Sequence, residues 1–170
     1  MIHNKTEMRQ ILGMLWCMVS SFTLAAQTAE NVAVMKPINK LFEGMKQGDS
    51  SLVHEAFTKM VTMATIAIDK DGKSSIRHES TLDGFLEAVG TPHPEVWSEM
   101  IWDPKIEIDG NMAQAWTPYA FYVGKKFSHC GVDAFQLFKG SDGNWKIFHL
   151  ADTRQKEGCN VPAKISEQFK

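Results

Sequence analysis

Cysteine is scarce in this 170-residue chain: there are three, and no two stand in a CxxC pair. That spacing gives no support to a dithiol redox centre or a zinc site. Neither sign of charge dominates. With 18 Lys and Arg against 20 Asp and Glu, the formal charge is −2, too little field to gather phosphates, which excludes nucleic acid as an expected partner. GxSxG, HExxH, Walker and Rossmann patterns are absent, so the chemistries built on them have no support. Internal repeats and low-complexity tracts are missing too. No cofactor and no metal is expected. What remains is 44% hydrophobic and 22% charged, an ordinary globular composition, and the length suits one domain with a core of its own.

The N-terminus reads separately. Lys5 and Arg9 precede ILGMLWCMVSSFTLAA, residues 11–26. A basic start, an apolar stretch and small residues at its end describe a secretory signal. The apolar run is too short and too broken by Ser and Thr for a comfortable membrane span. Cleavage after Ala25 leaves Thr23 and Ala25 at the two small-residue positions. The expectation is therefore a signal peptide over 1–25 and a domain over 26–170, periplasmic or secreted, with no membrane span after cleavage. An uncleaved anchor or an N-terminal helix is the alternative. Trp16 before Cys17 argues against lipidation. Removal of residues 1–25 takes Cys17 away and leaves Cys130 and Cys159, an even pair in a compartment that permits disulfides. They are the candidate bridge, two buried free thiols being the alternative.

Past the leader the pattern is helical. Val34, Ile38, Leu41, Phe42 and Met45 recur every three or four residues, one face of a helix with Pro37 near its first turns and Gly48 at its end. Asp49, Ser50 or Ser51 caps a second short helix carrying Leu52, Val53, Ala56 and Phe57. Residues 61–80 alternate about Asp71-Gly72 and predict a hairpin. Asp69-x-Asp71-Gly72 is a plain turn and not a calcium loop, because Ala67 and His78 occupy the outer ligand positions. Ser80 or Thr81 caps a third helix with Phe85, Leu86 and Val89 inward.

From Trp97 the pattern is strands. EMIWDPKIEI (99–108) meets NMAQAWTPYAFYV (111–123) across Asp109-Gly110, and FSHCGVDAFQLFK (127–139) and NWKIFHLADTR (144–154) follow as a meander. The tail after Arg154 reads as polar and loose. Helices first and a long antiparallel sheet after them give an α+β class, with N-terminal helices packed on a strongly curved, mainly antiparallel sheet. Such a sheet forms a cone, and a helix over it leaves an internal pocket.

The order of elements and the segment HCGVDAFQLFKGSDGNWKIFHLADTR resemble the nuclear transport factor 2-like superfamily of cystatin-like α+β cones. The similarity spans about residues 30–155 and is greatest to an exported bacterial branch labelled lumazine-binding. The superfamily includes isomerases, cyclases, dehydratases and non-catalytic binding or association domains, so the resemblance implies a fold and a pocket and not a reaction. Neither Tyr119 nor Tyr122 matches the ketosteroid isomerase-like motif, and the resemblance carries no catalytic residue across.

Strand parity supplies candidates. An Asp109-Gly110 turn pairs Ile106 with Ala113 and Trp102 with Thr117, and puts Trp102, Ile106, Ala113, Ala115, Tyr119, Phe121 and Val123 on the apolar inner face. A turn at 124–126 pairs Phe121 with His129 and carries Phe127, His129, Gly131, Asp133, Phe135 and Leu137 inward. In the last hairpin two registers compete. One pairs Gly131 with Asp152 and sends Phe148, Leu150 and Asp152 inward, with open space beside Gly131. The other sends Trp145, Ile147 and His149 inward. The pocket candidates are Trp102, Tyr119, His129, Asp133, His149 and Asp152. His54 and His93 are expected in solvent.

Three functions fit these residues. One is a small exported protein binding an apolar or aromatic molecule. Another is a cofactor-independent isomerase, dehydratase or cyclase using a His–carboxylate pair. The third is an association domain, a homodimer through an outer sheet face bearing Trp116, Tyr122, Val132 and Phe138.

Overall fold

A computed structural model describes residues 27–170. The signal expected at 1–25 and Cys17 lie outside the described residues. The chain divides into Met1–Ala33 and Val34–Lys170. Of the first unit only residues 27–33 are described, and they are helical. All that follows concerns the second unit.

In this unit residues 34–47 are helical (α1), and Pro37 lies within the helix. Val34, Ile38, Leu41 and Met45 are buried, the face expected from their spacing. Helix α2 (Ser50–Ala56) begins where Asp49 accepts from Ser51 N at 2.9 Å and Leu52 N at 3.0 Å. The chain then runs without a loop into β1 (Phe57–Ile68), turns at Asp69–Gly72 and returns as β2 (Ser74–Glu79). Helix α3 (Asp83–Gly90) follows. Leu82 occupies its N-cap with no side-chain bond of its own, and Thr81 Oγ1 accepts from Asp83 N at 3.4 Å, so of the two expected caps Thr81 meets the first turn.

The remaining strands are β3 (Trp97–Ile101), β4 (Lys105–Asp109), β5 (Met112–Val123), β6 (Lys126–Lys139) and β7 (Trp145–Arg154). Among the described residues seven strands form one sheet in the order β2-β1-β7-β6-β5-β3, with β4 also on β5. Every pairing is antiparallel except β1 with β7. Helices packed on this curled, mainly antiparallel sheet make the expected α+β cone. Phe42 of α1 meets Phe135 of β6 edge-on at 6.2 Å, joining helix to sheet.

Three irregularities reset the expected parity. First, EMIWDPKIEI is two strands. Asp103, at φ 46 before Pro104, breaks it. Inner positions of β3 are Trp97, Glu99 and Ile101, opposite Val123, Phe121 and Tyr119, so Trp102 falls outward. The β4–β5 turn is Gly110-Asn111, pairing Ile106 with Ala115 rather than Ala113. Second, a bulge between Phe121 and Tyr122 pairs Phe121 with His129 but Tyr122 with Phe127, so Phe127 turns outward. Third, a bulge after Leu137–Ile147 restarts the ladder at Gln136–His149. Both rival parities hold, one on each side of it. Trp145 and Ile147 are buried in the core, and Leu150 and Asp152 point into the cone.

The tail is not loose. Cys130 and Cys159 form a disulfide, α4 (Ala163–Ser166) and a 3₁₀ turn (Glu167–Phe169) follow, and Ile165 is buried on the outer sheet face with Ala120 and Tyr122. Phe169 stacks on Tyr122 at 3.8 Å. Tyr122 is therefore covered, and of the expected outer patch Trp116 and Phe138 remain exposed, beside Met112.

Candidate functional site

The cone encloses a cavity of about 440 Å³, within the roughly 300–1,000 Å³ of small-molecule sites. Its helical wall is apolar: Leu41, Phe42 and Met45 from α1, Phe85 and Ala88 from α3. Its sheet wall mixes Trp97, Phe121 and Leu150 with a cluster of polar side chains.

Asp152 organises one half of that cluster. Its Oδ1 accepts from Thr65 Oγ1 at 2.7 Å; its Oδ2 accepts from Arg154 Nε at 2.6 Å and from Tyr119 Oη at 3.3 Å. Tyr119 Oη also donates to Thr153 O at 3.0 Å. Burial opposes the Arg154 charge, but the Asp152 bond and charge outweigh it and hold the guanidinium above its ordinary pKa. Burial first, then the Asp152, Glu99 and Asp133 carboxyls, push the Tyr119 phenol far up, so it stays a donor. Gly131 permits this approach of β6 to β7. A Cβ there would collide with the Thr153 carbonyl, so backbone fills the space expected to be open beside Gly131.

Glu99 and Asp133 form the other half. Both carboxyls line the cavity, and each acts on the titration of the other, an arrangement that favours a shared proton. Asp133 is 3% exposed, and its Oδ2 finds no hydrogen-bond partner. Burial raises the Glu99 pKa to about 7, with the Asp152 charge adding to the rise and the Asp133 bond and Arg154 opposing it. Burial, then the Glu99 charge and hydrogen bond, raise Asp133 well above the carboxylate range.

His129 stands beside them against Tyr119 and Phe121, ring centroids 5.7 and 5.1 Å away, with Nδ1 3.0 Å from Ser128 Oγ. Burial, then the Arg154 charge, lower its pKa to about 4, so the ring is neutral at pH 7. Chemically the wall holds a carboxyl pair with raised pKa values, a neutral imidazole, a phenol and an ion pair. Among the described residues no group of His, Cys, Asp or Glu is arranged to hold a metal ion.

Of the sequence candidates, Tyr119, His129, Asp133 and Asp152 come together in this wall. Asp152 stands directly opposite Asp133 rather than opposite Gly131. Trp102 and His149 do not line the cavity. Trp102 follows the Asp103 break onto the outer face, packed with Ala120, Tyr122 and Ile165. His149 lies on the outward side of the β7 bulge, its Nδ1 2.7 Å from Thr62 Oγ1. His93 is not free in solvent but stacks on Trp97 at 4.5 Å.

Sequence reasoning missed Glu99, Trp97, Thr65 and Arg154. An unbroken strand through 99–108 with Trp102 inward sends Glu99 outward. The Asp103-Pro104 pair, a common chain breaker, was the available signal. Arg154 was readable, since it shares parity with Asp152 two residues earlier.

No protein-family model and no curated protein matches the chain. Solved structures do. An NTF2-like protein of unknown function from Shewanella baltica OS155 is 23% identical, with 76% of this chain and 97% of that chain covered and a TM-score of 0.57. An NTF2-like protein with a cystatin-like fold from Novosphingobium aromaticivorans is 8% identical, covers 99% of this chain and 98% of its own, and gives a TM-score of 0.58. A protein from Streptomyces avermitilis, provisionally named a dehydratase of the NTF2-like family, is 11% identical over 77% of this chain and 99% of that chain, with a TM-score of 0.57. The fold is the NTF2-like, cystatin-like cone. At these identities the likeness is one of fold, and the NTF2-like cone hosts several activities, so function rests on the cavity itself.

Proposed function

We propose that this chain is an exported protein that binds a small, largely apolar molecule in its cone. The observation that carries the reading is the two-sided cavity, an apolar helical wall facing a sheet wall with a few convergent polar groups. The Cys130–Cys159 disulfide supports export to an oxidising compartment. The test is thermal unfolding against a panel of small neutral aromatic and alicyclic compounds. Active compounds should raise Tm in the wild type and not in Ala88→Trp, which fills the cavity. Equal shifts in both proteins, or none from any compound, overturn the reading.

A second reading is favoured by Glu99. A cavity carboxyl with a pKa near 7 suits general acid–base catalysis at neutral pH. Its roles would be proton transfer by Glu99, with Asp133 and Tyr119 as donors to a developing oxyanion. Turnover that Glu99→Gln abolishes while binding persists would move the protein from binder to isomerase or dehydratase. Homodimer formation through Trp116, Met112 and Phe138 is compatible with both readings, and light scattering of wild type against Trp116→Lys tests it.

A further inference from the structure

The charges of the cavity limit what it takes. Four acids reach its lining, Glu79, Glu99, Asp133 and Asp152, against two cations, Arg77 and Arg154. Both cations are engaged. Arg154 Nε donates to Asp152, and Arg77 Nε lies 3.4 Å from Glu79 at the β2 edge. The elements facing the Glu99–Asp133 pair bring Tyr119, Phe121, His129, Asp152 and Arg154 from the sheet and only apolar side chains from α1 and α3. With the Glu99–Asp133 pair neutral, an incoming carboxylate finds each lining cation already paired with an acid, Arg154 with Asp152 and Arg77 with Glu79, and loses its hydration to an apolar wall.

A neutral oxygen meets the opposite situation. Two carboxyls joined by one hydrogen bond hold a second proton when both are neutral. Asp133 Oδ2, buried and without a partner, marks where the pair has unused hydrogen-bonding capacity.

Building on the binding reading above, we propose that the cavity selects neutral molecules carrying an acceptor oxygen, and rejects their carboxylate counterparts, through a hydrogen bond donated by the Glu99–Asp133 pair. When Glu99 ionises, the one proton left is held inside the pair, the donor is lost and the wall gains a charge. Affinity for a neutral acceptor then falls as pH rises through about 7.

The test is an NMR titration of the full chain with three naphthalenes of similar size, followed at the Trp97 indole and Met63 methyl signals. At pH 6, 2-acetylnaphthalene should bind at least tenfold more tightly than 2-methylnaphthalene or 2-naphthoate. Its Kd should rise about tenfold between pH 6 and pH 8. In Glu99→Gln, whose amide keeps a donor at every pH, the rise should vanish. The wild-type pH profile decides the matter even if that variant folds poorly. Naphthoate bound as tightly as the ketone overturns the selectivity and leaves the binding reading standing. So does methylnaphthalene bound as tightly as the ketone, or a ketone affinity that does not change with pH. Absence of binding by all three overturns both this proposal and the binding reading.

Discussion

Glu99 on β3 and Asp133 on β6 join their carboxyls across the intervening strand β5, inside a cone whose opposite wall is hydrocarbon. Two acids in such a place cannot both ionise at neutral pH: each charge lacks water, and each repels the other. The arrangement stores protons where the cavity can use them, and its consequences reach stability as well as binding.

Folding should weaken as pH rises through the Glu99 range. The folded state holds a proton that the unfolded chain releases at its ordinary carboxylate pKa, so stability falls between about pH 4.5 and 7. The raised Asp133 pKa acts in the same direction. Glu99→Gln should remove its share of the slope and be more stable than wild type at pH 8 by roughly 1–2 kcal/mol. Urea unfolding at a series of pH values measures this; parallel curves for the two proteins would contradict it.

His129 acts with the opposite sign. Its folded pKa of about 4 lies below the unfolded value, so the unfolded state binds the extra proton, and stability rises with pH from about 4 to 6.5. The ring should stay neutral at pH 5.5, with its Cε1 proton shift unchanged from pH 8. A midpoint near 6.5 would show it to be solvated.

The Cys130–Cys159 bridge joins residues at a sequence separation of 29. Replacing both by Ser should cost about 3–4 kcal/mol by loop-closure entropy. Amide exchange in Ala163–Ser166 should quicken more than in β5 and β6, because the bridge anchors the tail that covers Tyr122. A loss below about 1 kcal/mol would mean that the tail packs firmly without it.

Gly131→Ala should cost about 2–3 kcal/mol, since a methyl there meets the Thr153 carbonyl and must spread β6 from β7. The same step detaches Tyr119 from Thr153. Gly143→Ala, at φ 79 with open space around it, should cost only about 1 kcal/mol. Equal losses in chemical denaturation would place the Gly131 constraint elsewhere.

The class of fold was legible because hydrophobic period alone separates α1 from the β5–β7 meander, and Tyr119, His129, Asp133 and Asp152 followed from parity along those strands. The errors share one cause. A bulge or a left-handed residue inverts every side chain beyond it, and periodicity does not show where it falls. Asp103 hid Glu99 and misplaced Trp102. The bulge at Ser128 and the one in β7 did the same to Phe127 and His149. The covering of Tyr122 by Phe169 was hidden for another reason: a short polar tail carries too few apolar residues to show a period, and it is held by a disulfide.

The account turns on a shared proton, and carbon-13 NMR of the Asp and Glu carboxyls against pH tests that most directly. Glu99 should titrate with a midpoint near 7, and Asp133 well above the ordinary carboxylate range. Two carboxyls titrating independently below pH 5 would contradict the account, leaving the cone lined by ordinary solvated acids.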